Sequence, residues 1–365
     1  MDVQVIVIAF LISFFVTVCI TPLVKKVAVK IGALDEPEER KIHQGIRPRL
    51  GGLAIFIGVA VSLMYLQPNH EHFFEIALGG LIIIITGILD DLFQLKPIYK
   101  LIGQVSAALL VISSGLIIEK ITLPFFGLIY LENFSFIITI LWVIGVTNAI
   151  NLIDGLDGLA AGVSTIALAS ILVMGILDYR VTVVYLCIVL IGSNLGFLIY
   201  NFYPAKIFMG DTGALFLGYC ISIISMLGLF KNVALFSFII PIIILAIPIF
   251  DTLFAIIRRA TSGQKIMAPD KKHLHYQLIN AGFSHRTSVL IIYSFSTLFG
   301  ILAILFTNST LLTSFIIITV IVFFLHIIAE IVGLVGNGQQ PVLNLIRRIL
   351  GIKKATKNQE QDNKV

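Results

Sequence analysis

Apolar residues run through this chain in long blocks rather than in alternating or one-sided patterns. About 20 apolar residues make a helix that crosses a bilayer. Blocks near that length occupy residues 3–23, 50–66, 73–89, 98–118, 135–150, 158–177, 181–200, 212–230, 233–257, 287–306 and 311–333. Each predicts an apolar helix, because a chain in hydrocarbon must satisfy its own backbone N–H and C=O groups. The expected fold class is all-α: a polytopic integral membrane protein with a transmembrane domain over 1–335 and a cytoplasmic, basic amphipathic tail over 336–365. The segment 119–134, EKITLPFFGLIYLENF, breaks the pattern and predicts a small hairpin.

Composition agrees. Of 365 residues, 58% are hydrophobic and 12% charged. A soluble domain carries about 25% charged residues, so no soluble domain of useful size is expected. The first block has no basic segment before it, and Lys25 and Lys26 follow it. It is therefore expected to remain as a span rather than act as a cleaved signal. Cys19, Cys187 and Cys220 all fall in apolar blocks and read as packing residues. Lone glycines in the blocks, such as Gly58, read as helix-packing positions.

Charge sets the orientation. One set of connections, with the tail, holds 22 of the 25 basic residues; the other holds only Lys120, Arg180 and Lys231. The positive-inside rule then places the N-terminus outside and the C-terminus in the cytoplasm. In the tail, PVLNLIRRILGIKK puts Val342, Leu345 and Ile349 on one helical face. That pattern suits an anionic membrane surface, and no nucleic-acid partner is expected.

With that orientation the acids separate. Asp2, Glu71, Glu75, Glu119, Glu132 and Asp178 are scattered on the outer side. The cytoplasmic ends carry GILDDLFQLKP with Asp90 and Asp91, NAINLIDGLDGLAAG with Asp154 and Asp157, NFYPAKIFMGDTG with Asp211, and PIFDTLFAIIRR with Asp251. One acid at a span end can be a solvated cap. Four motifs at one depth describe a site at the inner membrane surface. Asp251 can instead serve as an ion-pair partner of Arg258 and Arg259.

Carboxylate and amide oxygens with no Cys or His cluster suit magnesium or manganese, which share their shell with substrate phosphates. Glycines such as Gly155 let backbone approach a ligand. RKIHQGIRPRLGG, with Arg47 and Arg49, KPIYK, with Lys100, and APDKKHLHYQL, with His273 and His275, place a basic rim on the same face. A cation site inside a basic rim fits a pyrophosphate substrate. Its depth suggests a lipid co-substrate. An ion-coupled transporter is the rival class, but it would place its acids mid-span in duplicated halves, and no repeat is visible.

These motifs resemble the polyprenyl-phosphate N-acetylhexosamine-1-phosphate transferases (the MraY, WecA and TagO group) over roughly residues 1–335. The resemblance implies ten or eleven spans and a cytoplasmic site in a bacterial cell membrane. It also implies transfer of a sugar 1-phosphate from a UDP-sugar to undecaprenyl phosphate, with magnesium or manganese. By motif, Asp211 resembles the principal metal ligand, with Asp90, Asp91 or Asn151 contributing. Asp90 and Asp91 match the acids beside the phosphates. Asn148, Asn151, Asp154 and Asp157 match the segment that binds nucleotide and metal. Phe208 matches an aromatic able to stack on uracil, Lys100 a phosphate contact, and His273 and His275 the loop that reads the sugar phosphate. HLH and RPRLGG replace the three consecutive histidines and TPTMGG of the peptidoglycan-precursor branch, which takes UDP-MurNAc-pentapeptide. The expected donor is therefore UDP-GlcNAc, with wall teichoic acid as the preferred pathway. The oligomeric state is left open, a homodimer included.

Overall fold

The computed structural model describes residues 2–35, 45–123, 127–228, 239–261, 263, 272–307, 309–333, 341, 342 and 344. Among them, the helices are α1 (Val3–Ile31), α2 (Gly51–Leu66), α3 (Phe73–Phe93), α4 (Pro97–Ser113), α5 (Ser135–Ile153), α6 (Leu159–Leu177), α7 (Val181–Asn201) and α8 (Gly210–Gly228). There follow α9 (Ile239–Ile244), α10 (Ala246–Thr261), α11 (Leu274–Asn280), α12 (His285–Thr307) and α13 (Leu311–Ile331). Eight helices among the described residues are long and apolar enough to cross a membrane. The chain is thus an all-α, multi-pass membrane protein.

Several sequence boundaries are corrected, beginning with α1, which runs to Ile31 rather than stopping at residue 23. The fourth span ends at Ser113 rather than continuing to residue 118. Ser113 and Ser114 turn their hydroxyls onto the carbonyls of Leu110 and Val111, and Gly115 has φ +88°. Both features divert backbone from the helix. The ninth span is described only from residue 239 and is broken at Leu245. Pro248 has no N–H to continue the ladder there. Finally, α3 extends to Phe93 and α8 starts at Gly210, so Asp90, Asp91 and Asp211 lie inside helices rather than beyond them. The hairpin expected in 119–134 forms as β3 (Lys120–Leu123) paired antiparallel with β4 (Gly127–Tyr130). A second, two-residue ladder joins β1 (Leu34–Asp35) to β2 (Arg47–Pro48).

The lipid-facing surface carries Leu11, Phe15, Leu141, Leu305 and Phe315, all exposed. Contacts between helices use small and hydroxylated residues, as expected where lipid is as apolar as leucine. At the α1–α2–α7 contact, Thr17 Oγ1 donates to Ser193 Oγ (3.2 Å), and a Cβ on Gly58 would lie 2.0 Å from Thr17 Oγ1. Gly58 is therefore a packing position.

The site is positioned by a ring: α3 packs on α4, α4 on α5, α5 on α8, and α8 back on α3. Glycines close the α3–α8, α3–α4 and α5–α8 seams, where added Cβ atoms would reach Thr212 Cα (from Gly87, 2.4 Å), Thr86 Oγ1 (from Gly103, 2.2 Å) and Thr147 Cα (from Gly218, 2.6 Å). An amide pair closes the α4–α5 seam. Helix direction brings the C-terminal ends of α3 and α5 and the N-terminal ends of α4 and α8 to one end of this ring.

Candidate active site

Asp91 is the most fully bonded acid in the ring. Its Oδ1 accepts from Asp211 N (3.0 Å), and its Oδ2 accepts from Thr212 N (3.0 Å) and Thr212 Oγ1 (2.7 Å). Arg49 Nε lies 3.3 Å from Oδ1. The carboxylate thus caps the N-terminus of α8 from another helix, satisfying amides that a helix start leaves unpaired. Gly210 makes this approach possible: it has φ +70°, and a Cβ there would lie 2.4 Å from Asp91 Oδ2.

This cap fixes Asp211, the second residue of α8. Its Oδ2 accepts from Lys100 Nζ (2.7 Å) and, more loosely, from Asn151 Nδ2 (3.4 Å), while Arg49 Nη2 lies 3.6 Å from Oδ1. Lys100 Nζ also donates to Asp90 Oδ2 (3.2 Å). Asp90 and Asp91 are adjacent in sequence but differ in use: Asp91 is saturated by donors, and Asp90 faces the lysine and the centre of the ring. Arg49 also reaches Asp35 Oδ1 (3.3 Å). Burial works against the Arg49 charge, but Asp91, Asp211, Asp35 and Asp90 outweigh it and raise its pKa above the ordinary arginine value. Arg47 remains in β2 opposite Asp35, and the described contacts bring Arg49, not Arg47, to the carboxylates.

Loop backbones hold this region in place. Phe208 N donates to Pro48 O (2.8 Å), and Gly51 N donates to Phe208 O (2.9 Å). RPRLGG and FMGDTG are therefore paired segments, with half-buried Phe208 just before the α8 cap. Asn148 is engaged differently from its motif neighbours. Its Nδ2 donates to Gln104 Oε1 (2.7 Å), closing the α4–α5 seam. Asp157 Oδ2 accepts from Ala205 N (2.8 Å), and Asp157 N donates to His285 Nε2 (3.0 Å). The structure thus gives Asn148 a seam contact and Asp157 a loop anchor.

The opposite wall is built from the α5–α6 turn and α11. Asp251 Oδ1 accepts from Leu274 N (2.9 Å), and its Oδ2 lies 2.9 Å from His273 Nδ1. Asp251 therefore anchors the start of α11 rather than serving only Arg258 and Arg259. His273 and His275 rings stack with centroids 5.9 Å apart. A Cβ on Gly155 would lie 2.2 Å from His275 Nε2, so glycine lets the turn meet the imidazole. Neither ring nitrogen of His275 has a hydrogen-bond partner among the described residues. Burial pushes its pKa down to about 4, which keeps the ring neutral near pH 7. Half-buried Asp154 is pushed up to about 8, first by burial and then by the Asp211 charge.

Among the described residues, no three His, Cys, Asp or Glu side chains form a protein-only metal cage. Two carboxylates and an amide do converge: Asp90, Asp211 and Asn151. The two carboxylates fit magnesium or manganese, which need only one or two when phosphates complete the shell; Asn151 meets Asp211 through Nδ2, so its amide would have to turn to offer oxygen. The sequence reading missed Gln104, Thr212 and Asp35. Only Gln104 carried a usable signal, a polar amide within the apolar run of α4. Lys271, beside the histidine loop, and most of the basic tail lie outside the described residues; Val342 N donates to Glu330 Oε1 (2.9 Å).

Comparison with known proteins converges on one group. A family model described as glycosyl transferase family 4 matches residues 73–229. The chain is 50% identical over 351 residues to the probable undecaprenyl-phosphate N-acetylglucosaminyl 1-phosphate transferase of Bacillus subtilis (strain 168), covering 94% of this chain and 97% of that protein. It is 36% identical over 310 residues to the decaprenyl-phosphate N-acetylglucosaminephosphotransferase of Mycolicibacterium smegmatis, covering 76% of each. It is 28% identical over 281 residues to the undecaprenyl-phosphate alpha-N-acetylglucosaminyl 1-phosphate transferase of Escherichia coli (strain K12), covering 73% of this chain and 75% of that one.

Proposed function

The chain belongs to glycosyl transferase family 4, and from that premise we propose that it moves N-acetylglucosamine 1-phosphate from UDP-N-acetylglucosamine to undecaprenyl phosphate, releasing UMP. The site faces the cytoplasm in this reading, which the basic connections support. The product would begin a cell-envelope polymer, with the wall teichoic acid linkage unit as the preferred one. The observation that carries the reading is the meeting of Asp90, Asp211, Asn151 and Lys100 at one end of the helix ring. Carboxylate oxygens for a cation and an ammonium for a phosphate there stand beside the neutral His275 wall.

The reaction joins two anions. The lipid phosphate has a second pKa of about 6, so it is largely dianionic at neutral pH and needs little activation. The barrier lies in bringing its oxygen to the sugar-side phosphorus while UMP departs. Asp211, with Asp90 and Asn151, would hold magnesium, which supplies charge neutralisation for the phosphates. Lys100 and Arg49 add positive charge. Asp91 keeps α8 in register, so Asp211 stays aimed at the site. Asp90 is placed to take a residual proton from the acceptor phosphate, and a direct displacement needs no enzyme-bound intermediate. His275 and Asp154 offer uncharged hydrogen-bonding groups to the sugar or base.

The test is UMP release by purified protein with undecaprenyl phosphate and magnesium. Release from UDP-N-acetylglucosamine is expected, with little or none from UDP-MurNAc-pentapeptide. The reverse preference would move the chain to the peptidoglycan-precursor branch. Lack of lipid dependence would overturn the transferase reading.

A further inference from the structure

We propose that Lys100 is the counter-cation of the Asp90–Asp211 pair and competes with the divalent metal for it. The inference rests on the reading that Asp211 holds the metal. Lys100 stands in the first turn of α4, and only three residues, Gln94–Lys96, separate α3 from that helix. The short link delivers the ammonium to the two carboxylates: Nζ is 2.7 Å from Asp211 Oδ2 and 3.2 Å from Asp90 Oδ2. A lysine ammonium has three donors and no acceptor, so one group can bridge both oxygens. Burying two like charges beside each other is unfavourable unless a cation lies between them.

The remaining bonds leave little choice about which group gives way. Asp91 is held by Thr212, the Asp211 amide and Arg49. Arg49 spans Asp35, Asp91 and Asp211, so three anchors hold its planar head. Lys100 has two anchors, a flexible four-carbon stem and a side chain 24% exposed, so it has room to swing. A divalent ion using Asp211 Oδ2 would meet the ammonium on the same oxygen, and like charges at that separation repel. Metal and lysine are thus alternative partners of one carboxylate pair. Unlike a residue that merely supports the fold, Lys100 should weaken metal binding while stabilising the protein without metal.

The experiment is Mn2+ binding to the purified full-length protein in the absence of substrates, read by electron paramagnetic resonance of free Mn2+. In Lys100→Gln, Mn2+ affinity is expected to rise about tenfold, since one competing charge is gone. The variant should melt at lower temperature than the wild type without metal, and saturating Mn2+ should raise its Tm by more than it raises that of the wild type. Lys100→Arg should keep affinity near the wild-type value. Lys100→Met gives the same reading if the glutamine variant is poorly folded. Equal or weaker Mn2+ affinity in the folded neutral variants would overturn the competition. Asp211→Asn separates the two levels of argument. If it abolishes Mn2+ binding while Lys100→Gln leaves affinity unchanged, the metal reading stands and this inference falls. If Asp211→Asn binds Mn2+ normally, the metal reading falls and takes the inference with it.

Discussion

The two walls of the site handle charge in opposite ways. On the α3–α8 wall, Asp90, Asp91 and Asp211 are bonded to Lys100, Arg49 and backbone amides. On the α5–α11 wall, buried His275 has no hydrogen-bond partner on either ring nitrogen among the described residues, and half-buried Asp154 feels the Asp211 charge more than that of Arg49; both are driven toward their neutral forms. An ionised group stays charged inside a protein only when paired, and otherwise neutralises. One wall is therefore suited to phosphates and a cation, and the other to uncharged hydroxyl, amide and base groups. A UDP-sugar carries both kinds of group.

The strongest way to break this comparison is to remove charge from the paired wall. Asp211→Asn is expected to lower transfer by about a thousandfold or more, because an amide is a poor ligand for a hard divalent ion. The assay is UMP release at ordinary magnesium, with a thermal melt to show that the variant is folded. Near-normal turnover would remove Asp211 from the metal site.

The adjacent acids sharpen the same wall. Asp91→Asn should cost about 3 kcal/mol of stability, since it leaves Arg49 and the α8 amides poorly matched in a buried place. Asp90→Asn should cost less stability than Asp91→Asn, since Asp90 accepts from Lys100 while Asp91 meets two amides, a hydroxyl and Arg49, and it should sharply reduce turnover. Equilibrium unfolding in detergent, paired with the transfer assay, compares the two. Equal stability losses would mean that the capping role is not confined to Asp91.

A smaller effect is expected on the neutral wall. Gly155→Ala places a methyl group against His275 and should slow turnover about tenfold by displacing the imidazole. Mn2+ affinity should be unchanged, because the charged wall is untouched. A parallel loss of Mn2+ binding would show that the walls are not independent.

The subtlest test uses pH. The folded-state pKa of Asp154 is raised from 3.8 to about 8, so between those values the folded protein binds more protons than the unfolded chain. Stability from this group is therefore greatest at low pH and is lost as pH rises toward 8. Asp154→Asn, which cannot ionise, should gain in Tm relative to the wild type as pH increases from about 4 to 8 and level off above. A difference that stays constant with pH would show that Asp154 is ionised in the folded protein throughout.

The sequence by itself determined the class of the molecule and the family it belongs to, and it named the candidate acids of its site. Apolar blocks of bilayer length marked where helices lie, though not all of their ends or the break at Leu245, because hydrocarbon forces the backbone into helices whatever the neighbours are. The motifs carrying Asp90, Asp91, Asp154 and Asp211 were legible because acids at span ends stand out against an apolar background. Sequence could not divide labour within these motifs. Asp90 and Asp91 are equivalent until α8 packs on α3 and its amide groups select Asp91. Asn148 and Asn151 lie one helical turn apart, yet packing directs one to Gln104 and the other to Asp211. Asp251 could be matched to nearby arginines along the chain, but the fold brings it the His273 ring and the Leu274 amide. Composition and periodicity report how each segment meets its solvent. Which lone pair meets which donor depends on contacts between residues tens to more than a hundred positions apart, and only the assembled helices decide those.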